Sequence, residues 1–217
     1  MAIDQKKRQK KLARKKSKRK TVVSSKKRNF SFGERISLKK AIVVAKNSPI
    51  KDCLIRKNIF SEGIGTAIVS REMPNRRLGV GVFLLDVWCL GVKNTYFSVL
   101  SEDEYTDRIK EISVHETLEN IHPSCARKLI EQCINYSNGL GFKPHKDFKI
   151  SRQLLIDIDP TVCPIQYTFG KDGKPFYISG PNENLNQSKK IINLLLQHCG
   201  EGNFEYLMSA FEETEIE

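Results

Sequence analysis

Apolar side chains return along most of this chain at one of two spacings, and each spacing predicts an element. In "SLKKAIVVAKNSP" (37–49), Leu38, Ala41, Ile42 and Ala45 recur at the helical period. Ser37 stands where a first-turn cap belongs, and Asn47-Ser48-Pro49 stops the helix. Residues 63–100 change to runs rich in Val, Ile, Phe and Tyr, broken at Pro74-Asn75 and Leu90-Gly91, and so predict a three-stranded antiparallel meander. Its middle run is apolar on both alternating sets, which places it centrally with both faces covered.

Helical spacing then resumes. "SEDEYTDRIKEI" opens with a capping box of Ser101 and Glu104 and sets Tyr105, Ile109 and Ile112 on one face. "HPSCARKLIEQCINYSNG" (122–139) carries Pro123 in its first turn, an inward stripe of Leu129, Ile130, Cys133 and Ile134, and Gly139 just past its end. A third helix is expected over 146–158. "IQYTFGKDGKPFYIS" (165–179) predicts a second hairpin turned at Asp172-Gly173, where both central residues tolerate positive φ. "NLNQSKKIINLLLQHCG" (184–200) predicts a helix closed by Gly200, and 203–211 a short last strand. Strands and helices in consecutive blocks define an α+β fold in a single domain over residues 29–211, followed by an acidic end at 212–217.

The first 28 residues fit neither period. They hold 14 Lys and Arg against one acid, Asp4, whereas residues 29–217 hold 23 against 24. The formal net charge of +12 therefore belongs to the amino-terminal segment alone. Like charges at helical spacing repel and almost nothing there is apolar, so an arm disordered on its own is expected. The apolar run 78–92 has 15 residues and contains Asp86, too few and too polar for the roughly 20 residues a bilayer helix needs. No apolar core follows the early positive charges, so no secretory signal is read, a cytoplasmic location is expected, and the six cysteines are expected to be reduced and buried.

Three stretches, "GVFLLDVWCLGVKN", "HPSCARKLIEQCINYSNGLGFKPHKDF" and "IDIDPTVCPIQYTFGKDGKPFYISGP", together resemble a family of uncharacterised bacterial proteins with a Lys-rich amino-terminal tail, over most of residues 50–205. That resemblance implies a bacterial cytosolic protein and brings with it no activity, catalytic residue or fold.

The residues themselves offer three kinds of chemistry. The basic arm comprises Lys6, Lys7, Arg8, Lys10, Lys11, Arg14, Lys15, Lys16, Lys18, Arg19 and Lys20, then Lys26, Lys27 and Arg28. Such a run neutralises phosphates and releases counterions without needing fixed geometry. It points to a nucleic-acid-binding protein, with RNA favoured over DNA and the ribosome as a possible target, because the sequence contains no helix-turn-helix or zinc finger. Lys171, Lys174 and Tyr177 in the second hairpin form a smaller candidate surface, where cations beside rings suit unpaired bases. A membrane partner is not expected.

The second chemistry is carboxylate. Asp86 sits in an apolar strand and needs a partner there. With a two-residue turn at Leu90-Gly91, Lys93 would reach it diagonally and the pair would fix the hairpin register. The alternative gathers Asp86 with Asp157 and Asp159 around Mg²⁺ as a nuclease or RNA-modifying enzyme, the one case in which a cofactor is expected. The third is a nucleophilic Cys125 beside His122. None of these signatures is complete, so the sequence favours binding over catalysis, with a protein-interaction module bearing a solubility or targeting tail as a further alternative.

Overall fold

The structure is a computed structural model that describes residues 37–181 and 183–208. The basic arm, the acidic end at 212–217 and the last residues of the expected 203–211 strand lie outside them. The described chain runs α1 (Leu38–Ala45), β1 (Ile50–Arg56), α2 (Ile59–Glu62), β2 (Ile64–Met73), β3 (Arg77–Asp86), β4 (Gly91–Ser101), α3 (Glu102–Ser113), β5 (Leu118–Asn120), α4 (Pro123–Gly139) and α5 (Phe148–Ser151). Two 3-10 turns, Arg152–Leu155 and Pro160–Val162, lead to β6 (Phe176–Ile178), α6 (Leu185–Cys199) and β7 (Glu205–Leu207). The fold is α+β, as the block pattern predicts.

The meander is present as β2, β3 and β4, within a five-stranded antiparallel sheet of order β4-β3-β2-β1-β5. Asn75 and Arg76 make its first turn, both at positive φ. The pattern missed β1 and β5. β1 mixes Lys51, Asp52 and Arg56 among its apolar residues, and β5 has three residues.

Alternation along β2 and β3 builds a core on each face. Ala67, Val69, Phe83 and Leu85 meet α1, α4 and Leu154 on one side. Ile68, Leu78, Val80 and Val82 meet Tyr105, Ile109 and Ile112 of α3 on the other. Close approach of α1 depends on Gly79, where a Cβ would stand 2.6 Å from that of Ala45. Caps close the helices as read: Ser37 accepts from Lys40 N, the Ser101–Glu104 capping box is complete, and Gly200 ends α6 at φ 81°.

Four expectations change. The expected 146–158 helix splits into α5 and a 3-10 turn, because Leu154 and Leu155 must both reach the core. Gly139 lies inside α4, and the positive-φ residue after it is Gly141. The second hairpin reduces to a tight turn, with Asp172 and Gly173 at positive φ and a single Lys171–Lys174 bridge. Tyr167 and Phe169 pack instead on Phe60, and β6 pairs in parallel with β7 across α6, a small β-α-β unit. Last, Cys125 and Cys163 form a disulfide with Cα atoms 4.9 Å apart, while Cys53, Cys89, Cys133 and Cys199 stay free. The expectation that all six are reduced fails because the 3-10 turn Pro160–Val162 folds back against the first turn of α4.

Arg71, on the α1 side of β2, is the largest fully buried side chain. Its Nε and Nη2 donate to Leu154 O at 2.9 and 2.7 Å, and Nη1 donates to Ser48 O at 2.7 Å. Both terminal nitrogens also hold the Asp157 carboxylate. Replacing Arg71 with Lys cannot serve three acceptors in one plane. R71K is expected to lose about 3–5 kcal/mol in denaturant titration, and D157N to lose less, because that carboxylate is half exposed and water can take its place on the guanidinium. The disulfide spans a sequence separation of 38, so C125A should lower stability by about 4 kcal/mol, and thiol reduction of the native chain should lower its melting temperature in the same way.

Candidate functional site

Asp86 stands at the end of β3, where the strand gives way to the turn Val87–Leu90. Its Oδ1 accepts from Trp88 N at 3.2 Å and Cys89 N at 2.8 Å. The carboxylate thus satisfies the donors of a four-residue turn that the tighter Leu90-Gly91 reading did not include. Asp86 pairs with Gly91 across the hairpin, and a bulge between Leu84 and Leu85 leaves Lys93 as an extra residue. The expected Asp86–Lys93 ion pair is replaced: Lys93 Nζ lies 3.0 Å from Glu183 Oε1, in the segment before α6. Trp88 lies in the turn, beyond the end of the strand.

The turn is clamped from every neighbouring element. Tyr136 of α4 and Phe176 N both donate to Trp88 O at 3.2 Å, Gly170 N donates to Val87 O, and Cys133 Sγ–H donates to Asp86 O. The indole N–H of Trp88 donates to Phe60 O at 2.9 Å, and its ring lies over Gly63, at φ 78°, where any Cβ would collide with it. Burial pushes the Asp86 carboxyl up to about 6, against the amides of Cys89, Leu90 and Trp88 and the Lys93 charge, which pull it down. Burial likewise raises the Cys89 and Cys133 thiols. Unreactive buried thiols around a carboxyl raised by burial make a structural knot.

The other candidate acids are engaged elsewhere. Asp157 holds Arg71. Asp159 caps the second 3-10 turn through Thr161 N at 2.9 Å and the Thr161 hydroxyl at 2.7 Å, and those bonds hold its carboxyl below the ordinary value. Among the described residues no three His, Cys, Asp or Glu side chains gather in a set that would hold a metal ion. The carboxylate cluster that the nuclease alternative requires is therefore not assembled there. Cys125 is in the disulfide, and His122 caps α4 by accepting from Ser124 N, so the Cys–His pair is also overturned.

Of the hairpin surface, only part is open. Tyr177 is fully buried; its hydroxyl bonds to Glu183 and lies 3.0 Å from Ser188 Oγ. Burial and the Glu183 bond push that phenol up to about 12, and no base can stack on its ring. Burial opposes ionisation of Glu183, but the bonds from Tyr177 and Lys93 prevail and hold its carboxyl below the usual range. The Lys93–Glu183–Tyr177–Ser188 chain, spread over four separate segments, had no signal in the sequence. Lys171 is exposed, yet its ammonium stands over the rings of Phe176 and Trp88, at 4.6 and 5.4 Å. Lys174 is exposed in the turn.

Compared with known protein families, curated proteins and solved structures, the chain matches none. No residue role is borrowed, and the family resemblance read from the sequence supplies none.

Asp86 gives a test with a sign. Its folded pKa lies above the ordinary 3.8, so the fold binds this proton more tightly than the unfolded chain does. The resulting stability is fully present below about pH 4 and is lost as pH rises through about 6. Asn keeps the acceptor without the charge. The stability of D86N relative to the native chain should therefore improve by about 2 kcal/mol between pH 4.5 and 7.5, measured by denaturant titration at both. D86A, which orphans the turn amides, should be less stable than D86N at either pH.

Proposed function

We propose that this is a nucleic-acid-binding protein, with RNA or the ribosome as the favoured target, attached through the basic residues between Lys6 and Arg28. One observation carries the reading: the first 28 residues hold 14 cations and one acid, while the remainder is balanced. Charge so concentrated raises both affinity for phosphate backbones and the rate of encounter. The roles found for Asp86, Asp157 and Asp159 favour binding over carboxylate catalysis, since each is committed to holding the fold. RNA is preferred to duplex DNA because a basic run can follow an irregular backbone without entering a groove.

The full chain should bind a single-stranded RNA with an affinity that falls steeply with salt, and a chain beginning at Asn29 should lose most of that slope. Filter binding across 50–300 mM salt (roughly the range over which counterion release dominates) reads both. Equal binding by the two chains would sink the assignment to the arm, and no binding by either would sink the function.

A further inference from the structure

We infer that the body carries a nucleic-acid site of its own, a basic corner formed by the segment 143–152 with α1. This rests on the nucleic-acid reading above and locates a surface that the sequence did not suggest. Lys143, Lys146, Lys149 and Arg152 follow one another at intervals of three, and all four are exposed. The last three lie on a continuous helical path through the turn at 146–147, α5 and the 3-10 turn. Residues three apart on such a path lie on neighbouring turns, with a rise of about 4.5 Å per interval in an α-helical turn and about 6 Å in a 3-10 turn. The three side chains therefore form a row of positive charge that a phosphate backbone can track.

The row has a second bank. α5 packs against α1, and the Arg71 guanidinium binds Ser48 O, just past α1, together with Leu154 O, just past Arg152. Lys39 of α1 and Lys46, which caps its C-terminus seven residues on, lie on one flank of that helix, exposed and half-exposed. None of these six cations has an ion-pair partner among the described residues. The single acid within 143–152, Asp147, lies 3.8 Å from His145 Nδ1. Elsewhere Lys51, Arg56, Arg71, Lys93, Arg108, Lys110 and Arg127 face carboxylates, and the cations without one, such as Lys57, Arg76, Lys128, Lys171 and Lys189, are spread over separate elements and form no such row.

The opposite face of the sheet carries the opposite sign. Residues 102–119, which run from α3 into β5, hold seven acids against Arg108 and Lys110. A polyanion is thus attracted to the α1–α5 side and repelled from the α3 side, which orients the body as well as holding it. The rings at the corner face inward, Phe142 buried and Phe148 edge-on to Phe83. Recognition there is of backbone phosphates and independent of base sequence.

The test uses the full-length chain and a single-stranded uridine oligonucleotide, with K146Q/K149Q/R152Q as the variant and K189Q/K190Q, which removes two exposed cations from α6, as the control. Losing three phosphate contacts should lower the slope of log K against log salt by about 2 and weaken binding on the order of 100-fold at 0.1 M salt. The control should bind within a few-fold of the native chain. The substituted side chains make no bonds, so an unchanged melting curve confirms that both variants fold. A second full-length variant, with the arm's cations from Lys6 to Lys20 changed to Gln, separates the two claims. Residual binding that K146Q/K149Q/R152Q then abolishes supports the corner. If the corner variant keeps the native slope while the arm variant binds nothing, the corner is refuted and the arm reading stands. If the native chain binds no RNA, both fall.

Discussion

The fold turns on a buried positive charge. A guanidinium taken out of water is costly unless every donor is met, and Arg71 meets its donors with two backbone carbonyls and one carboxylate drawn from two distant places in the chain, Ser48 and the segment 154–157. The geometry is planar, so the acceptors must be coplanar too. That requirement fixes the loop after α1 and the 3-10 turn at Leu154 against the same strand. The Asp157 carboxylate is more than half exposed and closes the outer edge of the cluster. The α1–α5 corner stands on this joint, and the positions of its exposed lysines follow from an interaction none of them makes.

A second knot holds the far end of the sheet. There the carboxyl of Asp86, the ring of Trp88 and the carbonyl at Trp88 organise a turn onto which α2, α4 and β6 all converge. The Lys93–Glu183 pair beside it binds the β6-α6-β7 unit to β4, and Tyr177 completes it from within the third apolar cluster. Polar groups are thus concentrated where elements from distant parts of the chain must agree on one arrangement, while the sheet faces between the two knots are almost wholly apolar. Such groups contribute specificity of docking at some expense in desolvation.

What the sequence made legible was local. The Ser101 capping box, the stripe on α4, the positive-φ pair Asp172-Gly173 and the central position of β3 depend on neighbours within a few residues, and those readings hold. The failures share one cause. Asp86 was rightly read as a carboxylate in need of partners, but its partners depend on whether the strand ends at Asp86 or runs on to Trp88, and a two-residue shift in the turn replaces Lys93 with two backbone amides. Tyr177 looked available for stacking because nothing nearby in sequence shows that α6 returns to cover it. The Cys125–Cys163 bond needs two segments 38 residues apart to meet, and single cysteines without a paired motif give no sign of that. The row Lys146, Lys149, Arg152 falls within the helix expected over 146–158, and only its packing beside α1 shows which face those cations occupy.

The distribution of charge in the body then gains a physical meaning that totals conceal. Residues 29–217 sum to nearly zero, yet that sum combines an acidic side at α3 and a basic corner at α1 and α5, separated by the thickness of the sheet. Each patch sits on a helix packed about 10 Å from the sheet, so the two lie farther apart than the screening length of about 8 Å at physiological salt, and each acts on a nearby polyanion largely by itself. A balanced total is therefore no argument against a phosphate-binding body. What decides it is whether cations are left unpaired on one surface, and in the described residues they are left so beside α5, on the frame that Arg71 builds.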